Sequence, residues 1–235
     1  MSFSPPGPPP AGHASEPLTR LRSPQGLATA TTVLLALTGV MSLVAAGLSL
    51  YASSIAGTGN YTGPLPEATL PEGLLVVDTV LQLPLMLATA VLFVIWFHRA
   101  HGNSEIFNPG AITRSQGWAV GAWFVPVGNL FIPYTMAKEM WTASIQLRKD
   151  GSYRSLSEAP VTAWWLTWVA ALISDRIFTY LYDRADTFEE LSGAATAGVP
   201  QGLLIAAAAV LAIRFVRRLT ALQTIKAAQG PYEAA

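Results

Sequence analysis

The fold is decided by a long uncharged stretch near the start of the chain. Residues 27–51 read LATATTVLLALTGVMSLVAAGLSLY, and none of these 25 residues carries a charge. A helix needs roughly 20 apolar residues to cross a bilayer core about 30 Å thick. The stretch is therefore long enough to span a membrane, which favours an integral membrane protein.

Three further runs, at 73–97, 161–182 and 197–215, are also mainly apolar and long enough to span, although each carries one or two charged residues. The 235 residues are 51% hydrophobic and only 12% charged, whereas soluble domains carry roughly a quarter charged residues. We predict an all-α fold, a polytopic helix bundle of four spans forming one domain at 27–228. The Pro-rich residues 1–26 are predicted to be a disordered tail, and 229–235 a C-terminal tail.

A fifth apolar run, at 117–137, is interrupted by Pro126 and Pro133, with Asn129 between them. A proline inside a helix removes a hydrogen bond and costs about 3 kcal/mol or more. Non-helical backbone at membrane depth is tolerated only where protein or a water-filled cavity surrounds it. The run is therefore either a broken fifth span or a Pro-broken re-entrant or interfacial segment.

The distribution of basic residues favours the second alternative. If 117–137 does not cross, twelve arginines and lysines lie on the side of the N-terminus, Arg184 lies on the other, and Arg176 lies in the membrane. A crossing would divide them five against eight. Cytoplasmic loops carry an excess of Lys and Arg, so we predict four spans with both termini cytoplasmic.

Tryptophans fit the same topology. Amphipathic aromatic rings favour headgroup depth, so we expect a row of them at the cytoplasmic interface. The five predicted there are Trp96, Trp118, Trp141, Trp164 and Trp165.

From Pro133 to about residue 149 the pattern is that of an amphipathic helix. Met136, Met140 and Trp141 share one face at helical spacing, and the opposite face carries charges such as Lys138. We predict a cytoplasmic amphipathic helix lying along the membrane surface.

Charged side chains inside the predicted spans are the first candidates for function. Asp78, Asp175 and Arg176 fall in the outer halves of the second and third spans, so Asp78 could pair with Arg176. Such residues usually face the bundle interior and pair. They indicate either a proton or ion site open to the outside, or a structural ion pair with Arg176 reaching the interface.

The Pro126–Pro133 segment is the strongest candidate site. Broken elements expose helix ends and free carbonyls that can coordinate ions, and Asn129 offers both donors and acceptors. The alternative is that Asn129 caps the following helix. A weaker candidate is a metal pair of His98 and His101 with Glu105; interfacial histidines are the alternative.

Small and aromatic residues are assigned to packing. Gly198, Gly202 and Ala206 recur every four residues, which lets helices approach closely. We predict that they pack inside the bundle rather than in a dimer. Trp123, Trp164, Trp165 and Trp168 are predicted to be core and interface residues rather than a ligand cage.

Several motifs resemble a known family. They are WFHRAHGN at 96–103, GWAVGAWFVPVGNL at 117–130 and Pro133-Tyr134 to Trp141, with Trp164-Trp165 and Arg217-Arg218-Leu219 with Gln223. Together they resemble the bacterial membrane proteins grouped as domain of unknown function 4328, over about residues 27–228. That family has no established activity, so the resemblance implies a membrane location and a helical architecture, and supplies no catalytic residue.

The sequence lacks the motifs that mark several common classes of enzyme. The sequence has no cysteine, no phosphate-binding loop, no His-Glu-x-x-His and no Gly-x-Ser-x-Gly. We therefore predict a non-enzymatic scaffold or interaction protein of the bacterial plasma membrane, without cofactor. Its expected partners are membrane lipids and either other proteins or further copies of itself; the zero net charge argues against nucleic acid. The alternatives are a small transporter or channel, and a lipid-directed membrane enzyme.

Overall fold

The computed structural model describes residues 21–58, 70–148, 150–152 and 156–230. Every regular element in these ranges is a helix, which confirms the all-α class. Two 3-10 turns, Pro109–Ala111 and Gly128–Leu130, interrupt the order. The α-helices are α1 Gln25–Thr58, α2 Leu70–Phe107, α3 Trp118–Gly121, α4 Ile132–Ser144, α5 Ala159–Tyr182 and α6 Phe188–Gln229.

Three of these helices contain stretches long and apolar enough to cross a membrane, namely Gln25–Ser54, Val80–Phe107 and Glu189–Gln229. The predicted third span, 161–182, is helical as α5. Its tryptophans and the charged pair Asp175 and Arg176 make it less apolar than the other three, because both residue types have low hydropathy. Composition alone therefore identifies three spans in the described chain, and α5 is not one of them.

Helices α1 and α6 pack closely along small residues. A Cβ added to Gly202 would lie 2.5 Å from the Ser42 carbonyl oxygen, and one added to Gly198 would lie 2.6 Å from Ser49 Oγ. Only glycine permits so near an approach of two helix backbones. The prediction that these small residues pack inside the bundle is confirmed.

Polar side chains link neighbouring helices in their apolar stretches. The hydroxyls of Thr38 on α1 and Thr89 on α2 lie 3.1 Å apart, and both side chains are buried. Gln82 on α2 donates a 3.3 Å hydrogen bond to Ser42 on α1. Hydroxyls and amides of this kind join helices across an apolar environment, where an unpaired polar group is costly.

Helices α2 and α6 continue well past the predicted ends of their spans. Helix α2 runs ten residues beyond position 97, and α6 fourteen beyond 215, which adds about 15 Å and 21 Å of helix. Helix α4 packs against both α2 and α6, and Gln223 in the extension of α6 bonds to its Ser144. We call the assembly of α4, residues 97–107 and residues 215–229 the base.

The apolar face of α4 covers protein. Met136, Met140 and Trp141 are at most 2% exposed, so this face is buried in the base instead of lying on lipid. The amphipathic pattern and its apolar face were predicted correctly. The prediction that this face lies along the membrane surface was wrong. The extensions of α2 and α6 reach beyond the predicted span ends and provide an apolar surface for it.

Most of the tryptophans expected at the interface lie inside the molecule. Trp96, Trp164 and Trp165 are at most 4% exposed, like Trp141, whereas Trp118 is 42% exposed. Four of the five rings therefore contact other side chains of the protein, and their depth in a membrane stays a prediction.

The predicted break at the fifth run is confirmed. Helix α3 ends at Gly121, and α4 begins only at Ile132 with Pro133 as its second residue. Between them Val127 adopts φ 61° and ψ −41°, a conformation that a β-branched residue strongly disfavours. The segment cannot form one continuous transmembrane helix in this conformation.

Candidate functional site

Asn129, the centre of the strongest predicted site, does not cap α4. It lies half-buried in the 3-10 turn Gly128–Leu130, and the residue at the N-cap of α4 is Phe131, which makes no side-chain cap bond. The capping alternative is therefore wrong. The turn is stabilised instead by its backbone, because Asn129 N–H donates to the Val125 carbonyl at 2.9 Å.

Asp175 has a polar partner on the neighbouring helix. Gln201 Nε2 on α6 donates to its carboxylate at 3.2 Å, and the pair is partly buried. Arg176 is exposed. The side chain of Asp78 lies outside the described part of the structure, so the proposed pair of Asp78 with Arg176 stays a prediction.

The histidines do not form a metal site in the described residues, where no group of three or more His, Asp or Glu side chains could hold an ion. His101 is fully buried, His98 is half-buried and Glu105 is exposed. Neither ring nitrogen of His101 has a hydrogen-bond partner among the described residues. His101 is therefore a core residue of the base rather than one of two exposed ligands.

The structure reveals a polar cluster in the base that the sequence had not indicated. Its centre is Gln223 on α6, which is 1% exposed. The amide Nε2 donates to the Ala100 carbonyl at 2.8 Å and to the hydroxyls of Ser104 at 3.0 Å and Ser144 at 3.3 Å. One side chain thus joins α2, α4 and α6.

Asn103 extends this cluster to the start of the chain. Its Nδ2 donates to Gln223 Oε1 at 3.3 Å and to the Arg22 carbonyl at 2.9 Å, and its Oδ1 accepts from Arg22 N–H at 3.1 Å. Arg99 adds a bond from Nη1 to the Ser23 carbonyl at 3.2 Å. Residues just before α1 are therefore held against α2, although the sequence placed them in a tail.

Lys226 ties the end of α6 to the end of α4. The residue is 5% exposed, and its ammonium donates to the carbonyls of Ala143 at 2.8 Å and Ile145 at 2.9 Å. The ring centroid of Phe107 lies 5.7 Å away. A cation at a helix C-terminus complements the helix dipole, so this lysine closes the last turn of α4.

A sequence signal for these residues exists in retrospect. Phe215, Leu219, Gln223 and Lys226 are separated by four, four and three residues, which is the spacing of one helix face. The first two are fully buried. The predicted span ends at 215, but the same buried face of the helix continues beyond it to the polar residues Gln223 and Lys226.

An aromatic cluster fills the bundle next to the base. Trp164 and Phe215 stack with ring centroids 4.6 Å apart, and Phe93 lies 5.6 Å from Trp164 and 5.7 Å from Trp123. Trp165 Nε1 donates to the Leu130 carbonyl at 3.1 Å. The broken segment is thereby fastened to α5, and the prediction that Trp123 and its neighbours are core residues is confirmed.

These two clusters can hold helices in place, but they do not present reacting groups. The amide of Gln223 and the ammonium of Lys226 are engaged by backbone and hydroxyl oxygens, and the aromatic rings pack on each other. The arrangement resembles a structural joint. Its chemistry is hydrogen bonding and burial.

Comparison with known proteins gives one finding. A family model with the description Domain of unknown function (DUF4328) matches residues 67–221, well over half of the chain. No curated protein and no solved structure matches significantly.

Proposed function

The chain belongs to the family described as Domain of unknown function (DUF4328), and from that premise we propose that it is a non-enzymatic membrane scaffold. In this proposal the bundle anchors the base at the membrane, and the base presents a rigid surface to other proteins or to further copies of the chain. The apolar helices and the buried joint between α2, α4 and α6 support it.

The proposed topology has four spans, with α5 as the third, in the plasma membrane of a bacterium. Both termini and the base lie in the cytoplasm. The support is the twelve-to-one distribution of basic residues and the packing of α5 along α6. Large apolar side chains of α1 and α2 that are about half exposed, such as Val40 and Leu83, would face lipid.

The broken segment is proposed to enter the membrane from the cytoplasmic side and to leave on the same side. Phe124, Val127 and Phe131 are 77%, 70% and 63% exposed. Three large apolar side chains at the tip of a loop are unfavourable in water. Lipid would cover them, while Trp165 and the aromatic cluster hold the backbone from behind.

The observation that carries the scaffold proposal is the packed aromatic interior. Phe93, Trp123, Trp164 and Phe215 touch through rings whose centroids lie 4.6–5.7 Å apart. Ala122 beside Trp123 is fully buried. A transport path through this part of the bundle would require these rings to separate.

Cysteine labelling tests the proposal, because the chain has no cysteine of its own. In Ala122→Cys and Ala212→Cys the thiol would lie in the packed interior, since both alanines are at most 4% exposed. A water-soluble maleimide should leave both unmodified in native membranes and modify them after denaturation. Ser115→Cys, at an exposed position, is the matched control and should react in both states once the reagent reaches its side.

Rapid labelling of Ala122→Cys or Ala212→Cys in native membranes would favour the second candidate, a small transporter or channel. One observation supports that candidate. Asp175 and Gln201 place a carboxylate and an amide together between α5 and α6, and charged groups within spans often mark ion pathways.

A further inference from the structure

A surface groove of about 530 Å³ lies between the start of α1 and the end of α6. Its walls come from one face of each helix, with Gln25, Thr29 and Thr32 on α1 and Thr220 and Thr224 on α6 among the polar members. This size falls in the range of small-molecule sites. The groove is therefore large enough for part of a ligand, and hydroxyl groups follow its length.

The two ends of the groove differ in character. Arg217 and Val33 mark one end, and the bond from Gln25 Nε2 to Thr224 Oγ1, 3.3 Å long, closes the other. The residues that line it include Arg217 and, within the described chain, no carboxylate. An anionic group would meet a favourable charge at the Arg217 end.

One hydroxyl in the groove wall lacks a partner. Thr32 Oγ1 is buried and makes no hydrogen bond within the described residues, whereas Thr29 and Thr224 bond to backbone carbonyls of their own helices. Buried polar atoms are rarely left unsatisfied. The Thr32 oxygen is enclosed as it stands, so an oxygen-bearing ligand at the Arg217 end would reach this hydroxyl after the threonine side chain rotates into the groove.

The position of Arg217 relates the groove to the lipid bilayer. It follows the predicted end of the last span at 215 by two residues, and it shares its end of the groove with Val33, which belongs to the first predicted span at 27–51. Thr29 and Thr32 belong to that span as well, so the groove lies at the boundary between the apolar bundle and the charged end of α6. Basic pockets between helices at the cytoplasmic side bind lipid headgroups.

From this geometry we propose that the groove binds one anionic phospholipid whose headgroup carries hydroxyl groups. Its phosphate pairs with Arg217 beside Thr32, and its acyl chain descends past Val33. Its headgroup hydroxyls extend toward Thr220 and Thr224. The assignment rests on the membrane placement proposed above, but it does not depend on which side of the membrane the base occupies.

Thermal unfolding of the purified full chain in detergent tests this site. Added phosphatidylglycerol should raise the unfolding temperature more than phosphatidylcholine does, because a ligand that binds the native state stabilises it. Phosphatidylmethanol, which is anionic but lacks headgroup hydroxyls, should have an intermediate effect. Inorganic phosphate at the same concentration should have none, and an equal effect of phosphate would overturn the assignment to a lipid.

Two variants locate the effect. Arg217→Gln should abolish the difference between phosphatidylglycerol and phosphatidylcholine, whereas Arg218→Gln, an exposed neighbour outside the groove, should retain it. Ala221→Phe fills the groove without changing charge and should also abolish the difference. Equal responses of Arg217→Gln and the unaltered chain would refute the site. Because the assay is run in detergent, it gives the same answer whether or not the proposed sidedness and scaffold role are correct.

Discussion

At the residue scale, the base depends on Gln223 more than on any other polar side chain it contains. Its amide serves three helices at once, with acceptors at 2.8, 3.0 and 3.3 Å. A complete buried hydrogen-bond network of this kind adds little net stability. Removing one member costs much more, because the remaining polar groups lose a hydrogen bond and stay buried away from water.

Replacing Gln223 by Leu should therefore destabilise the protein. The change leaves the Ser104 and Ser144 hydroxyls and the Asn103 amide without this partner, at a cost of about 2 kcal/mol. For a chain of this size we expect the unfolding temperature in detergent to fall by roughly 4–8 °C. Gln229→Leu, at an exposed position on the same helix, is the control and should change it little. An unchanged Gln223→Leu protein would show that the network does not contribute to stability.

Single residues were also where sequence reasoning was least reliable. The break around Pro126 was predicted because proline and glycine have strong local effects. The roles of Val127 and Asn129 were not, since a positive φ at valine is a result of packing that no local rule favours. Gln223 and Lys226 were missed for the related reason that their partners lie 79 or more residues away in the chain.

At the element scale, close packing of α1 on α6 explains the small residues of the last helix. The Cβ that Gly202→Ala introduces would lie 2.5 Å from the Ser42 carbonyl oxygen, so the helices must separate. We expect a loss of about 2 kcal/mol, measured by thermal unfolding in detergent.

Gly193→Ala is the matched control on the same helix, because its new Cβ meets nothing within 4 Å. Alanine is the better helix former by about 1 kcal/mol, so this variant should be at least as stable as the unaltered chain. Equal destabilisation by both substitutions would mean that the loss at Gly202 does not come from the α1–α6 contact.

An ion pair connects α4 to the start of α5 and should give a signature at high pH. Lys138 Nζ lies 2.7 Å from Glu158 Oε2, and this hydrogen bond and charge raise the pKa of Lys138 above its usual 10.5. Its stabilisation is therefore complete below pH 10.5 and declines as the pH rises through the higher folded-state pKa.

Both partners of that pair are about 40% exposed, so solvent screening keeps the contribution below about 1 kcal/mol. Glu158→Gln should remove this part of the decline in stability above pH 10.5, and Lys138→Met should remove it as well. The measurement is the unfolding temperature against pH for the three proteins. Identical slopes above pH 10.5 would contradict the contribution of the pair.

Helices were predictable from the sequence, and their ends were not. The four apolar runs correspond to α1, α2, α5 and α6, because the length of an apolar run reports directly on bilayer thickness. The ends of α2 and α6 lie ten and fourteen residues farther on, where burial comes from α4 rather than from lipid. Hydropathy does not distinguish a lipid-facing residue from one that faces another helix.

At the scale of the whole molecule, the two ends of the bundle differ in charge and are proposed to differ in function. In the proposed topology the aromatic cluster and the base lie at the end of the bundle assigned most of the basic residues, and the loops assigned to the other end are acidic. The scaffold role and the re-entrant segment both take this end as cytoplasmic. The distribution of charge along the chain predicts this asymmetry, whereas the packing of the base depends on contacts between residues far apart in the chain.

The most direct test of this polarity uses two cysteine variants on the cysteine-free chain. Ser115→Cys lies before α3, and Gly193→Cys lies near the start of α6; both positions are exposed. With an impermeant maleimide applied to intact cells, we predict labelling of Gly193→Cys alone, and labelling of Ser115→Cys only after the membrane is opened. Labelling of Ser115→Cys from outside intact cells would contradict the proposed topology.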